Sequence, residues 1–217
     1  MKKITVIGSL HEENNKTTIQ SLFEIIEKVK PDVIFEEIPV DLFDDVYSDK
    51  RNDDGLEVMA VKKYLMNIKV DHYAVDIPNL PNITKIAEIN KIENKVDDYI
   101  ESINNKKLIK YKKLLVELEE KGFEYINTKK YINMISKISN LIDNIIYKDN
   151  CELFYANKYE NDFHFILREN YMLHMMVKNI SYYNNAVLLI GSMHLGSIIR
   201  KLNIQFPQFS IKLYNKN

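Results

Sequence analysis

The sequence predicts an α/β fold: a mainly parallel sheet with flanking helices and an all-helical insertion. Short β-branched and apolar runs alternate with amphipathic helical patterns at both ends of the chain, which is typical of strands joined by crossover helices. Between residue 84 and about residue 147 the sequence shows helical patterns without a strand pattern. We therefore expect an α/β core domain formed by residues 1–83 and 160–217, and a helical insertion at residues 84–159.

The first third of the chain begins with an apolar strand at Ile4–Ile7, which Gly8 closes. Thr17 or Thr18 is placed to cap the helix that follows, and Pro31 lies just beyond the end of its apolar stripe. The later elements of this part are a strand at 32–37, a helix at about 56–68 and a strand at 72–76. Helices of this length between strands predict right-handed crossovers, and therefore parallel strands.

The insertion contains three helical stripes of apolar residues, whose spacing favours local antiparallel packing over a coiled-coil partner. They lie at 86–103, 108–118 and 132–145, and Gly122 is expected to be the C-cap of the second. After the insertion the predicted elements are a helix at about 160–180, a strand at 186–190, a helix around 197–202 and a strand near 210–214.

Two turns with the pattern Gly-Ser-x-His follow apolar runs near the two ends of the chain, at residues 8–11 and 191–194. With five glycines and five histidines in 217 residues, chance predicts about 0.1 occurrences of a glycine three positions before a histidine. A turn that follows a parallel strand lies at the sheet edge where α/β proteins build their sites. The two turns can meet only if their strands lie close together in one sheet.

Charged side chains follow the other predicted strands. Glu36 and Glu37 end the second strand, Asp76 ends the third, and the two turns add His11 and His194. Two imidazoles with two or three carboxylates are typical of a metal site or an acid–base cluster, and nitrogen with oxygen donors suits Zn, Mn, Fe or Co. Because successive strand residues point to opposite faces, only one of the two adjacent glutamates is expected to reach the site directly.

Arg168 is the remaining candidate, on the helix that precedes the second turn. A buried arginine needs a carboxylate partner, and the sheet edge offers several. The alternative is a surface salt bridge with Glu169 or Asp162. The other histidines are expected in the core, at its boundary or away from the sheet edge: His72, His164 and His174.

The composition excludes several classes of protein. Lys and Arg number 30 against 31 Asp and Glu, so that no basic excess indicates a nucleic-acid partner. No apolar run is long enough for a membrane span, no cleavable signal is recognisable, and the single cysteine fits a reducing compartment. We expect a cytoplasmic protein, and the oligomeric state, a homodimer included, is open.

Three segments resemble the TraB/PrgY/GumN family, part of a superfamily with the Tiki proteases and the erythromycin esterase/ChaN-like proteins. They are GSLHEENNKTTIQSLFEIIEKVKPDVIFEEIP, VDIPNLPNIT, and RENYM followed by LLIGSMHLGSI, in somewhat over half of the chain. The family carries two Gly-x-x-His turns, an acid after the second strand and an arginine before Tyr-Met. The matching positions are His11, Glu37, Arg168 and His194, with Glu36 able to share the acidic role and Asp76 matching an acid after the third strand.

This resemblance implies a metal-dependent hydrolase that cleaves peptide bonds with an activated water. The metal ligands would be His11, Glu37 and His194. Arg168 would fix a carboxylate or stabilise the oxyanion, and Glu36 or Asp76 would act as general base or orient a ligand histidine. The alternatives are a metal-independent esterase of the erythromycin-esterase type and a non-catalytic regulator that binds peptide or haem. The chain departs from several relatives in lacking a membrane segment or signal, which disfavours a surface role.

Overall fold

The computed structural model describes residues 2–48, 55–78 and 83–214, without the side chains of residues 83–87 and 160–163. Five strands form one sheet: β1 (Lys2–Ser9), β2 (Val33–Pro39), β3 (Asp71–Asp76), β4 (Asn185–Gly191) and β5 (Phe209–Leu213). Their order is β3-β2-β4-β1-β5, and every neighbouring pair is parallel. The predicted α/β fold class is confirmed.

Helices cover both faces of the sheet and form the insertion. The described part of the chain contains α1 (Ile19–Val29), α2 (Phe43–Val46), α3 (Leu56–Leu65), α4 (Ile83–Ile103), α5 (Lys106–Glu119), α6 (Phe123–Ile126), α7 (Lys129–Asp149), α8 (Cys151–Asn179) and α9 (Leu195–Gln205). Short 3-10 turns lie at Ile180–Tyr182 and Ser192–His194. None of these helices combines the length and hydropathy that a membrane span requires.

The alternation of side chains along the strands creates two apolar layers, one on each face. On β2, Val33 and Phe35 pack toward α8 and α9, whereas Ile34 packs toward α1 and α3. The same alternation continues to the end of the strand. It therefore directs Glu37 toward α8 and Glu36 toward the opposite face.

Helix α1 shows how local sequence fixes an element. Thr18 is its N-cap, and the side-chain oxygen of Thr18 accepts a hydrogen bond from the backbone N–H of Ser21 at 3.1 Å. Leu22 and Ile26 are fully buried against the sheet. The helix ends at Val29, as the position of the following proline predicts.

Two helix boundaries differ from the sequence predictions. Helix α5 ends at Glu119, and Gly122, with φ +90°, precedes α6 instead of capping α5. The predicted C-cap was therefore wrong. Gly122 is instead the N-cap of α6, and its positive φ and close approach to Lys16 both favour a residue without a Cβ atom. Helix α8 begins at Cys151, so the boundary drawn at residues 159 and 160 falls inside one continuous helix.

The insertion packs on itself and on the core. Val96 and Ile100 of α4, Leu108 of α5 and Ile146 of α7 form a buried cluster within the chain. Residues 79–82, which belong to the VDIPNLPNIT segment, lie outside the described residues. The insertion therefore has an apolar core of its own, built from the stripes that its sequence shows.

Candidate functional site

The two Gly-Ser-x-His turns are neighbours in space. Strand β4 lies directly beside β1, and Ser9 is paired with Gly191 at the carboxyl ends of the two strands. The chain leaves β1 through α1 on one face and leaves β4 through α9 on the other, toward opposite edges of the sheet. Such a reversal of direction opens a crevice at the carboxyl ends of the strands, where α/β proteins bind ligands. The expectation that these strands are close together is confirmed.

The first turn presents an accessible imidazole. His11 has a left-handed backbone, with φ 64°, and its side chain is 56% exposed. Its Nδ1 lies 3.0 Å from Oε1 of Glu57, and the Ser9 hydroxyl donates to the same oxygen. The hydrogen bond with Glu57 raises the pKa of His11 above its ordinary value. Glu57, on the first turn of α3, therefore orients this histidine.

The second turn presents a buried imidazole. The side chain of His194 is 4% exposed, with Nδ1 at 3.1 Å from Oε1 of Glu169 and Nε2 at 3.4 Å from Oε1 of Glu37. Burial alone would lower the pKa of His194, but the two carboxylates raise it to about 9. Glu169 also accepts from the Ser197 hydroxyl at 2.6 Å and lies 2.9 Å from Lys201 Nζ. Without a bound metal, His194 is therefore a buried cation at neutral pH.

Glu37 lies at the centre of the cluster. Its Oε2 accepts from the backbone N–H of Gly191 at 2.6 Å, and its Oε1 accepts from Arg168 Nη2. Arg168 also donates to both carboxylate oxygens of Asp76, at 3.0 Å from Nε and 2.6 Å from Nη2. Burial would raise the pKa of Glu37, but His194, Arg168 and the Gly191 N–H lower it to about 2. This carboxyl group is therefore ionised throughout the physiological range.

His11 and Glu37 face the same small space. A Cβ atom added at Gly191 would lie 2.6 Å from His11 Nε2 and 3.5 Å from Glu37 Oε2. The first contact is closer than real Cβ atoms come, so a larger residue at position 191 would displace His11. A Cβ added at Gly8 would likewise lie 2.5 Å from the side chain of Leu195. The glycine of each turn thus leaves room for a side chain at or just after the histidine of the other turn.

The structure brings together five of the six residues that the sequence singled out: His11, Glu37, Asp76, Arg168 and His194. The sixth, Glu36, is 2% exposed and lies apart from them, with its Oε2 at 2.8 Å from His72 Nε2 and accepting from the Tyr47 hydroxyl at 2.5 Å. Glu36 therefore does not share the acidic role of Glu37, because the alternation of side chains along β2 directs it to the opposite face of the sheet. His72 lies at the amino-terminal end of β3 and away from the cluster, as expected, and there it contacts Glu36.

Arg168 resolves the choice that its sequence context left open. Among the described side chains its carboxylate partners are Glu37 and Asp76, and Glu169 instead contacts His194. The other alternative, Asp162, lies outside the described side chains. One guanidinium therefore links the carboxyl ends of β2 and β3.

Two groups of supporting residues were not predicted from the sequence. Glu57 contacts Nδ1 of His11, and Glu169 contacts Nδ1 of His194. The position of Glu169 directly after Arg168 was the one available sign of its role. Asn127 accepts from the Gly8 N–H at 2.6 Å and donates to the Gly8 carbonyl at 3.0 Å, while the Tyr131 hydroxyl lies 3.1 Å from Ser192 Oγ. The insertion therefore contacts both turns through residues that no recognisable motif marks.

The donor set fits a divalent cation in its chemistry. Histidines that bind metals usually hold Nδ1 against a carboxylate or carbonyl while Nε2 serves as the ligand. Both His11 and His194 have this arrangement, and both Nε2 atoms lie on the side of Glu37. Within the described parts of the chain, however, no three His, Cys, Asp or Glu side chains already stand grouped as a metal site. An ion would have to replace the proton of His194 and share Glu37 with Arg168.

No protein-family model, curated protein or solved structure matches the chain. The resemblance to the TraB group therefore stays a prediction, and the residues of the cluster are the basis for the chemistry of the site. That cluster holds an accessible base, a buried cation and an ionised carboxylate at one sheet edge. These groups together can activate water and stabilise a developing negative charge.

Proposed function

We propose that the chain is a hydrolase of amide or ester bonds, of the TraB/Tiki type that its sequence resembles, with peptides as the main substrates. A divalent cation held by His11, Glu37 and His194 is part of this proposal. The observation that carries it is the convergence of two carboxylate–histidine pairs, one from each Gly-Ser-x-His turn, on a single ionised glutamate. When bound, such an ion lowers the pKa of a water ligand and polarises the substrate carbonyl.

His11 has the position of a metal ligand or, when no ion is bound, of the proton acceptor. Its Nδ1 is held by Glu57 and its half-exposed ring gives a substrate access to Nε2. A histidine with Nδ1 on a carboxylate keeps one tautomer and is stabilised when it becomes protonated. Without an ion, His11 Nε2 would take a proton from water and Glu57 would stabilise the resulting imidazolium. With an ion bound, the same Nε2 would be a ligand and Glu57 would orient it.

Arg168 acts by positioning. Its guanidinium contacts Glu37 and Asp76 at the same time, which fixes the positions of the two carboxylates and helps to lower the pKa of Glu37. Helix α9 begins directly after His194, and no side chain among the described residues caps it. The Leu195 N–H already donates to the Ser192 carbonyl, so a later N–H of this helix start would have to face a developing oxyanion.

A specific observation also favours a second candidate, a metal-independent esterase. Both oxygens of Glu37 already accept hydrogen bonds, from Arg168 and from Gly191. His11, backed by Glu57, is then sufficient to take a proton from water without an ion. Ester substrates suit this version because their leaving groups need less protonation than amines.

Hydrolysis assays separate the two candidates. The full chain would be incubated with a mixture of quenched fluorescent peptides and with p-nitrophenyl esters, before and after exhaustive chelation and after re-addition of Mn, Co, Zn or Fe(II). We expect peptide cleavage that chelation removes, that one of these ions restores, and that His11→Gln abolishes. His174→Gln is the matched control, because His174 is an exposed histidine elsewhere on α8. Chelator-resistant ester cleavage that still requires His11 would favour the second candidate, and no turnover of either class would sink both.

A further inference from the structure

A cleft of about 680 Å³ lies between the insertion and the second turn. Its walls come from α4, α7, α8 and α9, and it borders Ser192 and Glu169, the neighbours of His194. This volume is in the range of sites that hold small ligands or short peptides. None of His11, Glu37 and Arg168 lines the cleft, so it is a space beside the ionic cluster and distinct from it.

The cleft is long and follows α7. Its lining includes Ile132 near one end of this helix and Asp143 near the other. Eleven residues of α-helix correspond to about 16 Å. The Ile132 end adjoins α9, because a Cβ at Gly196 would touch Ile132, and the Asp143 end adjoins Lys158 of α8 at 2.7 Å. An extended peptide of about five residues has this length.

The wall of the cleft combines apolar and hydrogen-bonding groups. A row of isoleucines on α7 faces Phe165 and the half-exposed Ile166 of α8. Ser139 lines the same space and places its hydroxyl group at an exposed position. An extended peptide can pack apolar side chains on the isoleucines and direct a polar backbone group to this hydroxyl.

Two charged residues of the lining have partners already: Glu169, beside Ser192, contacts His194 and Lys201, and Lys158 contacts Asp143. The charges without an ion pair among the described residues differ in sign between the two ends. Arg200 lies at the Gly196 end, with Nη1 at 3.8 Å from the position of a Gly196 Cβ, and it has no ion pair or hydrogen bond with the described residues. Glu93 and Asp97 line the cleft from α4, where the neighbouring Val96 packs with the distal part of α7, and they too are unpaired within the described chain. A free peptide carries the complementary charges at its two termini.

We propose that this cleft binds an apolar peptide of about five residues, with its free carboxylate on Arg200 and its ammonium group toward Glu93 and Asp97. This inference deepens the proposed function and rests on it in one respect, since it identifies the bound peptide as substrate or product of the adjacent cluster. The orientation places the carboxyl-terminal end of the peptide beside Ser192 and Glu169.

Calorimetric titration of the full chain with the pentapeptide Ala-Leu-Val-Leu-Ala tests the site. Metal-free His11→Ala protein would be used, so that binding is measured without turnover and a failed hydrolase proposal does not affect the result. We expect saturable binding, with about a tenfold loss of affinity when the peptide carboxylate is amidated, the size of one charge-assisted contact. Arg200→Gln should bind the acid and the amide equally, whereas Lys212→Gln, an exposed cation on β5, should still discriminate.

A second pair of variants tests the position along α7. Ser139→Trp would fill the middle of the cleft from an exposed position, and Asn133→Trp places the same side chain on an exposed part of α7 outside the cleft. We expect the first to lower affinity at least tenfold and the second to leave it unchanged. Two results would overturn the assignment even if the chain hydrolyses peptides. One is equal binding of the acid and the amide by protein that retains Arg200, and the other is undiminished binding by Ser139→Trp.

Discussion

The two Gly-Ser-x-His turns share a sequence pattern and a sheet edge but differ in their surroundings. His11 is in a left-handed loop conformation and more than half exposed, whereas His194 ends a 3-10 turn and is almost fully buried. Among the described residues, the carboxylate hydrogen-bonded to the first imidazole is that of Glu57, while Glu169 and Glu37 flank the second. A repeated motif therefore gives two different imidazoles: one that solvent and substrate can reach, and one that is buried between two carboxylates.

The largest expected difference concerns stability. His194→Ala removes a buried cation from between two carboxylates and should lower the free energy of unfolding by about 3 kcal/mol or more. His11→Ala removes a half-exposed partner and should cost about 1 kcal/mol or less, although both variants should lose activity. Urea unfolding of the metal-free proteins, monitored by circular dichroism, measures both. Equal losses of stability would contradict the contrast between the two turns.

Arg168 should come next in size. Arg168→Gln leaves Glu37 and Asp76 without their shared cation and should destabilise the protein by about 2 kcal/mol, with a loss of activity of at least tenfold. Arg168→Lys should recover little, because a lysine cannot contact both carboxylates with a planar fork. Lys212→Gln is the control, since Lys212 is an exposed cation on β5 that has no contact with the cluster among the described residues. Full activity in the lysine variant would show that charge alone suffices.

The glycine of the second turn gives a sharper test of the contact between the turns. Gly191→Ala would place a methyl group 2.6 Å from His11 Nε2, and the half-exposed His11 ring should move away at little cost in stability. We expect at least a tenfold loss of kcat with a melting temperature within a few degrees of the wild type. Gly55→Ala is the matched control, because its added Cβ meets only ordinary contacts at 3.7 Å and beyond. Unchanged kcat in Gly191→Ala would separate His11 from the second turn.

The free energy of unfolding should depend on pH through two groups of the buried cluster, His194 and Glu37. The pKa of His194 is raised to about 9, so its contribution is complete below its ordinary pKa and is lost as pH rises through 9. The pKa of Glu37 is lowered to about 2, so its contribution is complete above its ordinary pKa and is lost as pH falls toward 2. Urea unfolding of the metal-free chain across this range should lose its alkaline limb in His194→Gln. A limb that persists in this variant would assign it to another group.

The smallest effects on activity should come from the insertion. Asn127→Ala removes two hydrogen bonds to the Gly8 backbone, and Tyr131→Phe removes the hydroxyl that reaches Ser192 and Glu119. We expect losses of about 2 and about 1 kcal/mol. Asn127→Ala should also shift the acid limb of the pH–rate profile, which reports His11, whereas Tyr131→Phe should leave that limb in place. Identical profiles for wild type and Asn127→Ala would limit this residue to a structural role.

The sequence was sufficient for the fold and for most of the cluster because both depend on local patterns. Apolar runs, capping residues and a repeated four-residue turn indicated the strands and six candidate side chains, and five of these six lie in the cluster. Strand alternation predicted that Glu36 and Glu37 diverge, but which of them faces α8 depends on the packing of both layers. Glu57, Asn127 and Tyr131 could not be found in this way, because each reaches the site through contacts between residues far apart in the chain.

In the function proposed above, both histidines bind one ion together with Glu37. The most direct test of this claim is the thermal unfolding of metal-stripped protein titrated with Mn, Co, Zn and Fe(II), at pH 7 and pH 8.5. We predict a saturable rise in melting temperature with at least one ion, tighter at the higher pH because His194 must lose its proton to bind. The rise should disappear in His11→Ala and in His194→Ala and persist in His174→Ala. No shift with any ion, or a shift that survives both site substitutions, would contradict the claim.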